Sequence, residues 1–154
     1  MIKPEERAVS TPRERDKVET PQDELTYKII GLAMAVHTVL GPGFTEEVYQ
    51  RAMQVGLIGE GIASKWEYRI DVKFRDQVVG SFDLDLVAGG LVIIELKAIA
   101  ALAQVHEQQA IAYLAASGLP VALLINFGAS RLQYKRIFPP LSVQSSPAYQ
   151  ARHV

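Results

Sequence analysis

Four ionisable side chains interrupt an apolar stretch at residues 83–97, "DLDLVAGGLVIIELK". Asp83 and Asp85 precede a Gly-Gly pair, and Glu95 and Lys97 follow it. Burying an ionised group without a partner is expensive, so such groups are paired, exposed or bound to a cation. Side chains alternate along an extended strand, which places Glu95 and Lys97 on one face and Val92, Ile94 and Leu96 on the other. An acid two residues before a lysine thus presents an oxygen ligand and an ammonium to the same spot. Hard divalent cations such as Mg²⁺ take oxygen donors and need only one or two carboxylates beside water and substrate phosphate. The ammonium can steady charge on a phosphoryl group or orient an attacking water. The E-x-K spacing by itself favours a ladder of charges on a solvated sheet face, because charged residues alternate on exposed strands everywhere.

Whether the acids on either side of the turn meet depends on register. A two-residue Gly89-Gly90 hairpin would oppose residues 84 and 95 and leave Asp83 and Asp85 on the face away from Glu95. An odd-length loop or a bulge corrects this, for example by opposing residues 85 and 93. A cation site therefore requires one specific backbone irregularity, for which glycine at the turn is suited.

The elements that must carry these residues are legible around them. Residues 25–40, "LTYKIIGLAMAVHTVL", place Leu25, Ile29, Leu32, Val36 and Leu40 near one helical face. "GPG" at 41–43 stops that helix as a turn, lacking the Gly-Lys-Ser/Thr ending of a phosphate loop. Thr45 is placed to cap a second helix, which runs to Gly59 or Gly61. "EYRIDVKF" alternates as a half-buried strand, and "RDQ" turns it into "VVGSFDLDLV". "LVIIELK" follows, then a helix near 102–117, the apolar strand "VALLINF" and a last strand "RLQYKRIF". The order α-α-β-β-β-α-β-β predicts an α/β (α+β) domain, a mixed sheet flanked by helices.

Residues 1–24 mix charges with three prolines and read as a flexible arm; 25–138 form the domain, and 139–154 read as a loose tail. The 154 residues give room for one domain with a real core. Without cysteine there is neither a disulfide framework nor a thiolate metal site. No signal-peptide h-region or bilayer-length apolar run is present, so a cytoplasmic protein without a membrane partner is expected. Net charge is -1, and residues 25–138 hold ten basic and ten acidic side chains. Binding a polyanion would then require a local basic groove or a second subunit, as in a homo-oligomer.

Beyond this core pattern, "VHTVLGPGFTEEVY" at 36–49 resembles the signature of the GxxExxY family, with Gly43, Glu46 and Tyr49 at its named positions. "DLVAGGLVIIELKA" from Asp85, "HEQQAIAYL" from His106 and "LLINFG" from Leu123 resemble further family segments, in the expected order. That family lies within the PD-(D/E)XK nuclease superfamily. The resemblance implies a restriction-endonuclease-like core and Mg²⁺- or Mn²⁺-dependent hydrolysis of phosphodiester bonds in DNA or RNA. Carried over by motif, Asp85 and Glu95 are the paired acids holding the metal, assisted by Glu46. Lys97 is the lysine of the (D/E)XK element, and Gln109 and Tyr113 are a Q-x-x-x-Y pair on one helical face. Asp83 stands beside this set as an extra ligand, a competitor for the place given to Asp85, or a solvent-facing charge; the ten-residue interval from Asp85 to Glu95 fits the family segment. Tyr49 reads as a packed aromatic with a satisfied hydroxyl, and His37 and His106 as hydrogen-bonding residues. A rival class is a non-catalytic binding or self-assembling protein built on the same fold.

Overall fold

A computed structural model of the protein describes residues 21–150. Its main elements follow the expected order: α1 (Pro21–Leu40), α2 (Glu46–Gly59), β1 (Ser64–Phe74), β2 (Gln77–Ala88), β3 (Val92–Lys97), α3 (Gln104–Ser117), β4 (Val121–Asn126) and β5 (Gln133–Ile137). Two single-turn helices follow, α4 (Leu141–Gln144) and α5 (Pro147–Gln150). Helix α1 starts ahead of Leu25, where the apolar periodicity begins. Proline suits a first helical turn because its missing N–H would have no partner there, and Asp23 and Glu24 favour the same end of the helix dipole. The rest of the expected arm, residues 1–20, and the last residues, 151–154, lie outside the described residues. The C-terminal segment departs from a loose tail: α5 packs against α3, and Tyr149 is buried. Thr45 stands at the N-cap of α2 as expected, yet its hydroxyl makes no capping bond.

The five strands lie in sequence order, β1-β2-β3-β4-β5. Strands β3 and β4 are parallel and are joined by a crossover through α3, while the other neighbours are antiparallel. Helices α1 and α2 cover one face, where Ile29, Ala33, Tyr49, Met53 and Leu57 meet Leu86, Val92, Ile94, Leu96 and Leu123. Helix α3 covers the other, with Ala110 and Leu114 on Val87, Ile93, Ala122 and Leu124. Strands β3 and β4 are covered on both sides, so they read as unbroken apolar runs, as two-sided burial demands. Beyond Leu86 and Ile94, β3 stops pairing with β2, and β1 and β2 continue together as a two-stranded ribbon.

Candidate functional site

The turn decides the register. Leu86 faces Ile94, Val87 faces Ile93 and Ala88 faces Val92, so Gly89, Gly90 and Leu91 form an odd-length loop. Both glycines take positive φ, +59° and +67°, and Leu91 N–H donates to Ala88 O at 3.0 Å. Only residues at ease in the left-handed region allow so tight a closure. Extending the pairing by one step sets Asp85 against Glu95, not against Ile93. A three-residue loop reaches the shared face that the candidate site requires.

Strand β2 is irregular at Asp85. Leu84 packs on the α3 side and Leu86, two residues on, packs on the α1–α2 side, so alternation breaks between them. The β1–β2 ladder runs from Ser64↔Ala88 to Val72↔Gly80 but skips the pair Glu67–Asp85. Glu67 itself sits at φ +52°, a left-handed conformation uncommon for a residue with a side chain. Freed from the ladder, Asp85 Oδ2 accepts a hydrogen bond from Leu96 N–H at 3.2 Å. Its carboxylate thereby lies against β3 next to Glu95.

Glu95 is 5% exposed, and its Oε1 is a buried polar atom with no hydrogen-bond partner. Its pKa is pushed up to about 8, first by burial and then by the negative charge of Asp85; Lys97 opposes the shift. Two carboxylates this close resist ionising together unless a cation sits with them. An orphaned carboxylate oxygen beside a second acid suits a small hard cation. Among the described residues no three His, Cys, Asp or Glu side chains converge as a complete cage. Two carboxylates with open positions for water and phosphate are nevertheless what Mg²⁺ usually takes.

The remaining sequence-selected residues surround this pair. Glu46 is the first residue of α2, and Gln50 Nε2 donates to its Oε1 at 3.4 Å. Its pKa is raised by burial and by Asp85, with Lys97 again opposing, which places it within electrostatic reach of both. Lys97 Nζ donates to Gln109 Oε1 at 3.3 Å. Tyr113, one turn along α3 from Gln109, stacks on Phe82 with ring centres 4.3 Å apart. Burial, then the charges of Glu95 and Asp85, raise the Tyr113 pKa and keep its hydroxyl protonated. Asp83 stands apart: it pairs with Arg69 at 3.7 Å on the exposed ribbon. An open polar groove of roughly 540 Å³ runs beside Asp85, lined by Glu47, Gln50, Gln54, Trp66, Glu67 and Asp83 among others.

The residues read as structural are so placed. Tyr49 is fully buried, stacks on Phe127 at 4.6 Å, donates to Gly41 O and accepts from Phe44 N–H. His37 bonds Ala129 O at 3.0 Å, and His106 Nδ1 accepts from Ala103 N–H at 2.9 Å.

Sequence reasoning passed over Asn126, which is fully buried at the end of β4. Its Oδ1 accepts from the N–H groups of Ile99 and Gly128, while its Nδ2 donates to Ile99 O and Gln133 Oε1. Gln133 Oε1 also accepts from Leu102 N–H. This network fastens the loop that carries the chain from Lys97 to α3. A polar residue in an otherwise apolar buried strand was the available signal.

Residues 23–137 match the family model of the PD-(D/E)XK nuclease superfamily. The chain belongs to the PD-(D/E)XK nuclease superfamily. No curated protein and no solved structure matches it. Several basic side chains are engaged by their neighbours. Arg69 is engaged by Asp83, Lys135 by Glu107 at 2.8 Å, and Arg136 Nε donates to Thr26 Oγ1. Local pairing thus takes up cations that could otherwise have gathered along a phosphate track. Among the described residues no helix is long and apolar enough to cross a membrane.

Proposed function

We propose that this protein is a GxxExxY-type member of the superfamily that hydrolyses phosphodiester bonds of nucleic acid with Mg²⁺ or Mn²⁺. The observation that carries this reading is buried Glu95 beside half-buried Asp85, with an unpartnered oxygen on Glu95 and Lys97 two residues on. Asp85 and Glu95 are the residues that would hold the cation, with Glu46 assisting from the start of α2. Bound there, it would supply Lewis-acid neutralisation of charge on the scissile phosphate. Lys97 is steadied by Gln109 through one of its three N–H bonds, which leaves two to orient a water or meet a phosphate oxygen. Tyr113 remains a hydrogen-bond donor at neutral pH beside the two acids. The polar groove beside Asp85 offers amide, indole and carboxylate groups for contact with bases or sugars.

Labelled single- and double-stranded DNA and RNA, incubated with Mg²⁺, with Mn²⁺ and with chelator, test the proposal. Cleavage should need the cation and disappear in Lys97→Ala and Asp85→Asn proteins that remain folded. Retained binding without cleavage under every condition would instead support the non-catalytic reading, for which the neutral core charge already speaks.

A further inference from the structure

Strand β1 is an edge of the sheet, 11 residues long, and among the described residues no strand pairs with its outer side. From Tyr68 onward it alternates apolar Tyr68, Ile70, Val72 and Phe74 with charged Arg69, Asp71 and Lys73. Phe74 is 61% exposed, and Val78 and Val79 beside it on β2 are similarly open. A long unpaired edge carrying apolar side chains is a template for another strand. The ribbon is a poor match for a polyanion, because Lys65, Arg69, Lys73 and Arg75 are balanced by Glu67, Asp71, Asp76 and Asp83.

We infer that β1 pairs edge to edge with β1 of a second copy, antiparallel about Ile70, joining the two sheets in a symmetric dimer. The charge order selects this register. Centred on Ile70, Arg69 of each copy faces Asp71 of the other. Ile70 meets Ile70 and Tyr68 meets Val72, so every directly opposed pair within 68–72, the regular stretch between left-handed Glu67 and the irregularity at Val72–Lys73, is complementary. Moving the centre to Arg69 sets Arg69 against itself. Moving it to Asp71 sets Asp71 against itself. Both neighbouring registers oppose like charges, which is destabilising. Arg69 is already held on β2 by Asp83 and Ser81, so less side-chain freedom is lost when it meets a partner.

Sedimentation velocity on the full chain, from low micromolar to submillimolar concentration, should show a reversible monomer–dimer equilibrium. Arg69→Asp and Asp71→Arg, each replacing two opposite-charge pairs with two like-charge pairs, should each weaken association by roughly tenfold or more. Mixing the two variants restores both complementary pairs and should restore the dimer as a heterodimer. Thermal melting of each variant separates loss of pairing from loss of folding, and recovery on mixing cannot come from misfolded chains. Wild-type protein that stays monomeric throughout, variants that dimerise like wild type, or a mixture that fails to associate would each overturn the inference.

Discussion

Replacing Glu95 with Gln keeps the shape of a protonated carboxyl while removing the charge that its surroundings oppose. Glu95 titrates near 8 in the fold against an ordinary 4.5. Between those values the folded chain binds a proton that the unfolded chain has released. Stability of the cation-free protein therefore falls as pH rises through this window and levels off above it. At pH 7 the interval already crossed is about 2.5 units, which at 1.36 kcal/mol per unit is on the order of 3 kcal/mol. The full interval gives roughly 5 kcal/mol. Glu95→Gln has no such slope, so at pH 7 it should melt higher than wild type by about 6–12 °C, taking 2–4 °C per kcal/mol. Asp85→Asn should also flatten the profile, because it removes the charge facing Glu95. Melting curves between pH 5 and 9 with chelator present provide the assay, read as the difference between wild type and each variant so that other titrating groups cancel. Adding Mg²⁺ or Mn²⁺ should raise the wild-type melting point by mass action, near 2.7 kcal/mol at a hundredfold excess over Kd, and leave Glu95→Gln almost unmoved. Wild-type and variant profiles that run parallel across the window would refute the reasoning.

Three further outcomes follow from the geometry. Lys97→Ala should lower turnover by about a hundredfold or more while calorimetry shows Mn²⁺ affinity little changed, because in the proposed mechanism lysine acts on transition-state charge and is not a ligand. Tyr49→Phe should cost about 1–2 kcal/mol in denaturant unfolding, since Gly41 O and Phe44 N–H both lose a buried partner. Gly128→Ala should destabilise far more than a typical surface change, measured by expression and melting. The added methyl would stand 2.3 Å from Ile99 O and 2.4 Å from Ile99 N, both backbone atoms that cannot step aside.

The fold was largely legible because its signals are local. Alternation marked β1, "GPG" marked the end of α1, and apolar runs marked β3 and β4. The acids and the lysine of the site were legible as residue types, while their meeting was not. Gly89-Gly90 is compatible with a two-residue or a three-residue loop, and which one closes is settled by packing on both faces of the sheet. The left-handed Glu67 left no trace in composition, since nothing in "WEYR" asks for positive φ. Asn126 was hidden for a related reason: its four bonds run to loop atoms and to Gln133 on β5, which only the tertiary fold brings within reach. The folding of the tail at Tyr149 depends likewise on a surface of α3 that no local pattern announces.

Strand β3 has an unusual consequence for how the chain finds its native state. Val92, Ile93, Ile94 and Leu96 are all fully buried, and β4 beside it is equally apolar, so neither face of β3 differs much from the other. A strand of this kind can slip by one residue during folding at little hydrophobic cost. The slipped form would turn Glu95 into the α1–α2 core, away from Asp85 and Lys97, as an isolated buried acid. The same carboxylate that destabilises the native protein at neutral pH thus penalises the misaligned protein more, and widens the gap between them. Substituting leucine there would give a sturdier molecule that folds less faithfully, with trapped misaligned species growing as the penalty disappears.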